Sequence, residues 1–371
     1  MKTIAPIRLA SGAQIGNGSP CFVVAEIGNN HQGDLAIARR MVEEAARAGA
    51  GAVKFQKRDM NAMFTDEGLQ MPYSGPNSFG RTYGEHRLAL EISLDDMAQL
   101  KALAESLGMV FFASAWDQVS LAEMEALGVE MLKISSADLV NVPLLRQAGA
   151  TGLPVILSTG MSSLEEIDHA VAELRRFHDR IVVLHCNSTY PCPDECVALP
   201  VMAQLSRRYG LHVGYSGHEQ GLGPSVAAAA LGARVVERHF TLDRTLRGTD
   251  HQASLDPEGF ARMVRLIREA EAAMAVTRKE VFESERKAAV KLRKSIVFAR
   301  DLPAGHTLTE SDLTVKCPGH GISPILWDDV LGRALVAPVR HEDLVQWELL
   351  GPALRPSGEM LQGGLPLAQS R

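Results

Sequence analysis

Eight short apolar, β-branched runs precede residue 245, and helix-period segments separate each from the next. The runs are Cys21 to Gly28, Gly51 to Gln56, Met109 to Ser114, Met131 to Ser136, Pro154 to Gly160, Ile181 to Ser188, His212 to His218 and Arg234 to Phe240. The segments between them, such as LAIARRMVEEAARAG, LDDMAQLKALAESLG and SLEEIDHAVAELRRF, carry the Gly or Ser that helix caps demand. An eighth, PEGFARMVRLIREAEAAM, follows the last run. Strict alternation with buried-type strands predicts a parallel sheet closed as a TIM (β/α)8 barrel. At 371 residues the chain exceeds the roughly 250 of such a barrel, leaving room for a second, smaller domain. We place the barrel at 1–276, a charged linker helix or crossover at 277–293, a β-rich domain at 294–351 with Pro and Gly turns, and a tail at 352–371 expected to be disordered. The insert from Lys57 to Leu90 interrupts the second βα connection, so it falls on the carboxyl face of the barrel as a candidate lid.

Composition excludes several classes. Net charge is -6 and pI near 6.1, which provide no basic field for nucleic acid. No apolar run reaches the roughly 18 residues of a membrane span, and the amino terminus MKTIAPIRLASG lacks a signal-peptide core, so the expectation is a cytoplasmic protein. The five cysteines (Cys21, Cys186, Cys192, Cys196, Cys317) show no disulfide or zinc spacing.

The polar residues cluster by position. The strands begin apolar and end in Glu26, Lys54, Gln56, Ser114, Lys133, Ser136, Ser158, His185, Ser188, Ser216, His218, Glu237 and His239. Each such group left unpaired in a core costs about 1–3 kcal/mol, so repeating the pattern on every strand points to a functional face. Lys54 and Lys133 lie in apolar strand sequence and call for an anion, which is either a ligand carrying phosphate and carboxylate or the glutamates Glu26 and Glu237. Lys133 could equally serve a Schiff-base aldolase. His218 and His239 end adjacent strands, and with Glu26 closing the ring they form a candidate open metal site. His86 and His169 are assigned to surfaces or lids. A non-enzymatic carbohydrate- or ice-binding reading would leave the loaded barrel face unexplained.

In order along the chain, AEIGNNHQGD, AVKFQ, TYGEHR, LKISSADL, ILSTGMSS, LHCNSTYP, GYSGHE, ALGARVVERHFTLD and GTDHQASL resemble the motifs of the sialic acid synthases. The last domain resembles that family's antifreeze-protein-like (SAF, β-clip) module. The resemblance implies condensation of phosphoenolpyruvate with an N-acetylated hexosamine, N-acetylmannosamine or a relative. It implies a divalent metal, manganese preferred with magnesium or cobalt possible, held by His218 and His239. It assigns phosphoenolpyruvate to Lys54, Lys133, Ser136, Ser158, Ser188 and Ser216, and sugar or catalytic roles to Glu26, Gln56, Tyr190, Glu237 and Asp250. It also implies a domain-swapped homodimer that brings Lys316 near the partner's site. Two positions depart from the better-known bacterial synthases, which have Asn at Ser188 and Arg at Cys317. The insert and Ser188 instead resemble the animal synthases, which use N-acetylmannosamine 6-phosphate.

Overall fold

The computed structural model describes residues 4–352. Eight strands form a closed parallel barrel: β1 (Phe22–Gly28), β2 (Ala52–Lys57), β3 (Val110–Ala115), β4 (Leu132–Ile134), β5 (Val155–Ser158), β6 (Ile181–Cys186), β7 (His212–Gly217) and β8 (Val235–His239). The register runs from Val235 opposite Phe22 to His239 opposite Glu26, closing β8 onto β1. Period-two alternation sorts the side chains. On β1, Val23, Ala25 and Ile27 face the helices and join the large outer core, while Val24 points inward. The inner core also takes Ala52, Val110, Phe112, Ile156, Val182 and Val235, all in the first half of their strands. Farther toward the carboxyl end, past Leu184 on β6, the inward positions that line the cavity are mostly polar, so the barrel is apolar at its base and polar at its mouth.

A two-strand hairpin that the sequence reading did not anticipate, Ile7–Arg8 with Gln14–Ile15, packs Ile7 and Ile15 into that inner core and so closes the amino-terminal end. The helices begin where side-chain acceptors precede apolar runs. Asp34 accepts from the backbone N–H of Ala36 (2.7 Å) and Ile37 (3.0 Å) to start Leu35–Arg47. Ser93 and Ser163 make capping boxes with Asp96 and Glu166. Asp256 caps Pro257–Ala273, the helix after β8.

The insert is more ordered than a bare loop. It holds three short helices, Met60–Met63, Asp66–Gln70 and Tyr83–Leu88. His86, assigned to a surface or lid, belongs to the insert but is buried, its ring packed against Tyr73, Phe79 and Tyr83. Thr82 and Glu85 form a capping box that starts the last of the three helices.

The chain divides into two compact units, Met1–Val276 and Thr277–Arg371. The second begins with a helix, Glu283–Leu292, in which no residue is buried. It continues as an antiparallel pair, β9 (Ser295–Phe298) and β10 (Leu313–Lys316), over its own core of Ile296, Phe298, Leu302, Leu313, Val330 and Val345. Of the expected disordered tail, all but Pro352 lies outside the described residues. No helix among the described residues is long and apolar enough to cross a membrane.

Candidate active site

A cavity of about 270 Å³ opens at the carboxyl ends of the strands. It gathers Glu26, Lys54, Gln56, Ser114, Lys133, Ser136, Ser158, Ser188, Tyr190, Ser216, His218, Glu237 and His239, drawn from all eight strands or the loops just after them. Asp250, beyond β8, sits beside it with Oδ2 4.0 Å from His239 Nδ1. His185 points away, its Nε2 2.6 Å from the carbonyl of Val197. Lys316 lies in the second unit, exposed and paired with Glu342. Cys192 is buried and Cys196 exposed, and both are free thiols.

The two lysines are neutralised within the protein, which is the internal-pairing alternative of the sequence reading. Lys133 Nζ stands 3.0 Å from Glu237 Oε1, and Lys54 Nζ stands 2.5 Å from Glu26 Oε2 and 3.7 Å from Glu237 Oε1. Lys54 also donates to Ser114 Oγ at 3.0 Å. Burial alone would lower both lysines. It prevails for Lys133, which titrates below the ordinary lysine value, whereas Glu237 and Glu26 outweigh it at Lys54 and raise it. Burial would raise Glu237, but Lys133 and Lys54 overcome it and hold that carboxyl at about 2. The site is therefore a compact array of two cations and two anions. It also holds unspent polar atoms: Ser158 Oγ, Glu237 Oε2 and His239 Nδ1 are buried without a hydrogen-bond partner. Each costs about 1–3 kcal/mol unless something bound at the cavity satisfies it.

The two imidazoles fit a metal in part. His218 Nδ1 lies 2.7 Å from the carbonyl of Asn187, so that nitrogen carries the proton and Nε2 keeps its lone pair. Burial and then His239 push the His218 ring down to about 3, leaving it neutral and able to ligate. The ring centroids of His218 and His239 are 5.5 Å apart, and Tyr190 stacks 3.9 Å from His218. Closure of the ring by Glu26 is corrected by the structure. Glu26 is spent on Lys54 and on Gln56 Nε2 (2.8 Å), and no group of three His, Cys, Asp or Glu side chains converges among the described residues. A cation held here would take two protein nitrogens and complete its shell with ligand or solvent oxygens.

Sequence reasoning missed the residues that brace this array. Arg238 and Glu219 form a fully buried ion pair at 2.7 Å on the outward side of β7 and β8, completed by Tyr215 and Ser225. They are the immediate neighbours of His239 and His218, and alternation explains why they face the other way. Arg58, just after β2, is buried against Glu91 and stacked over Trp116, which lines the cavity. An arginine inside an otherwise apolar or strand-end run was the available signal for both.

A model of the NeuB family matches residues 41–279, and a SAF domain model matches residues 293–351. The N-acetylneuraminate-9-phosphate synthase of Homo sapiens is 38% identical over 93% of this chain and 96% of its own length. This chain belongs to the NeuB family. Within the NeuB family it is also similar to the N,N'-diacetyllegionaminic acid synthase of Legionella pneumophila, 36% identical over 90% of this chain and 95% of that one. The crystal structure of an N-acetylneuraminic acid synthetase from Leptospira borgpetersenii, in complex with citrate, superposes with a TM-score of 0.66 at 34% identity, covering 76% of this chain and 95% of that one. The SAF match places β9, β10, Lys316 and Cys317 of this NeuB-family chain inside a SAF domain.

Proposed function

We propose that this protein condenses phosphoenolpyruvate with the open-chain aldehyde of an N-acetylated hexosamine, N-acetylmannosamine or a close relative, to give a sialic-acid-type sugar acid and phosphate. The observation that carries the reading is the array of Lys54, Lys133, Glu26 and Glu237 at the floor of a polar cavity, beside two buried imidazoles. Carbon three of the enolpyruvyl group forms a bond to the aldehyde carbon, whose oxygen becomes a hydroxyl. Water adds at carbon two, and the bond from carbon two to the phosphate oxygen then breaks to leave the ketone. An ammonium has three N–H groups, and Lys133 spends one on Glu237, so it keeps donors for the carboxylate and phosphate of the substrate. Ser136, Ser158, Ser188 and Ser216 line the same wall and supply hydroxyl donors. Glu237, ionised at neutral pH, is placed to take the proton of the attacking water, and Glu26 and Gln56 face the acceptor. A divalent cation on His218 and His239, manganese preferred and magnesium or cobalt as alternatives, would supply electrophilic polarisation of the aldehyde oxygen.

A Schiff-base aldolase on Lys133 has less support. The depressed lysine suits a nucleophile, but its ion pair with Glu237 favours the ammonium over the free amine that a nucleophile needs, and the named relatives above are synthases.

A second reading of the acceptor rests on its far end. Arg87, which donates to the Tyr83 hydroxyl, and Arg247 line a small cavity of about 50 Å³ together with Asp250, whose carboxylate lies 4.0 Å from His239 of the main site, and neither arginine has a carboxylate within 4.0 Å among the described residues. They are placed to receive a 6-phosphate on the sugar. The free thiols fit a reducing, cytoplasmic setting. In the dimer that the resemblance implies, the SAF domain of each protomer covers the barrel of the other and brings Lys316 to it.

Phosphate release from phosphoenolpyruvate, measured with a panel of N-acetylated hexosamines with and without the 6-phosphate, tests the reading. We expect acceptor-dependent release of one phosphate per sugar acid formed. Release with no member of the panel would reject the reaction, and equal use of a phosphorylated and an unphosphorylated pair would reject the arginine assignment.

A further inference from the structure

The insert between β2 and its helix leaves the barrel at Lys57 and returns before Leu94. Its two ends are held together by one buried ion pair. Arg58 and Glu91 are 33 positions apart; Arg58 Nη1 meets Glu91 Oε1 at 2.9 Å, and the Arg58 backbone N–H points to Glu91 Oε2 at 3.3 Å. Arg58 is only 4% exposed. The same guanidinium stacks 4.6 Å over Trp116, donates to Asn29 Oδ1 at 3.3 Å and donates through Nη2 to Gln56 Oε1. Gln56 in turn donates through Nε2 to Glu26 Oε1 at 2.8 Å, and Glu26 pairs with Lys54. A continuous chain of contacts thus runs from Glu91 at the insert's exit, through Arg58, Gln56 and Glu26, to Lys54 at the cavity floor.

The chemistry of the donors and acceptors makes this chain directional. A guanidinium has only donors and an ionised carboxylate only acceptors. With one on each side, the Gln56 amide has a single satisfied orientation, oxygen toward Arg58 and nitrogen toward Glu26. The reversed amide would set NH2 against the guanidinium and carbonyl against the carboxylate. The amide nitrogen has a second N–H, and Gln56 lines the cavity, so fixing the amide presents a donor rather than an acceptor to whatever binds there. Arg58 is absent from the cavity wall and reaches the cavity through residues that line it, the Trp116 ring on which it stacks and Gln56, which in turn holds Glu26.

We infer that Arg58, anchored by Glu91, is a positioning residue that closes the base of the insert and sets the amide of Gln56 and the carboxylate of Glu26 toward the acceptor sugar. The assignment of that face to the acceptor rests on the function proposed above. A purely structural ion pair would affect stability and both substrates alike, whereas this role affects the acceptor selectively.

The test uses full-length protein with Arg58→Lys, Arg58→Met and the double variant Arg58→Met with Glu91→Met, which leaves no unpaired buried charge. Loss of a hydrogen bond to a charged group corresponds to about ten-fold or more in binding. We therefore expect both Met variants to raise the acceptor KM by about ten-fold, with the phosphoenolpyruvate KM changed less than about two-fold. Arg58→Lys, which keeps the charge but loses the planar multidentate head, should recover part of that loss. Limited proteolysis within residues 60–89 should accelerate in the double variant, a readout independent of turnover. Equal changes in both KM values, no change in either, or unaltered proteolysis would overturn the inference. Wild-type protein runs in parallel: if it releases no phosphate with any acceptor, the proposed reaction fails, while the proteolysis comparison still decides whether the pair closes the insert.

Discussion

Burial sets the chemistry of single side chains here, and the outcome depends on which charges share the burial. Lys54 and Lys133 are both nearly inaccessible, yet one is raised and the other lowered, because Lys54 touches two carboxylates and Lys133 touches one. Asp138 follows the same rule without a cation in contact. It is 8% exposed, its Oδ2 has no hydrogen-bond partner, and burial pushes its carboxyl up to about 6. An acid raised in the folded state favours folding at low pH, and that advantage is lost as pH rises from the ordinary value of 3.8 through about 6. Asp138→Asn removes the ionisation while retaining an oxygen to accept from Asn141. In urea titrations the variant should match the wild type below about pH 4 and exceed it above about pH 6, by on the order of 2 kcal/mol. A difference independent of pH would show that the carboxylate is not strained.

At the scale of elements, the decisive device is a short strand whose inward positions change from apolar to polar along its length. On β8 this puts Val235 in the inner core and Glu237 and His239 at the mouth, while Val236 and Arg238 pack outward. The loop after β7 delivers His218, and the buried Glu219–Arg238 pair joins the two strand ends that carry the imidazoles. A two-nitrogen cation site on these ends predicts a binding isotherm. Metal-stripped protein should bind one manganese ion per chain by calorimetry, and chelation should abolish turnover until manganese or magnesium is restored. Replacing both His218 and His239 with Ala should weaken binding beyond the roughly 10–100-fold that loss of an outer partner costs. Wild-type affinity in that variant would remove the histidines from the metal's coordination.

For the whole molecule, two separate cores matter. The barrel has its own inner and outer clusters, whereas the SAF domain spans only residues 293–351, near the lower limit of independent stability. On the reaction proposed above one water is a reactant at carbon two, and a cover over the barrel mouth would keep bulk water from competing with the acceptor there. A truncation ending at Lys294 should therefore melt cooperatively as a barrel yet lose most of its activity, and the full-length protein should sediment as a dimer. A monomeric truncated barrel that turns over at the full-length rate would be incompatible with the SAF domain of a partner completing the site.

The amino-acid sequence by itself determined the barrel, because buried parallel strands and capped amphipathic helices are local patterns, and eight of them in alternation close in one way. All eight anticipated runs overlap a barrel strand, with ends shifted by one or two residues, short of the apolar run at Ile134 and Ser158 and one residue past it at Lys57 and Ala115. The strand-end polar residues were legible for the same reason: alternation gives their depth and their face. Three matters needed tertiary structure. Which carboxylate meets which lysine depends on distances across the barrel, and these took Glu26 out of the metal ring that sequence order suggested. The hairpin that closes the barrel base has strands of two residues each, too short for any periodicity. Arg58 and Glu91 lie 33 residues apart, and only the folded insert brings them together, because an ion pair is made by proximity in space and leaves no period in the chain.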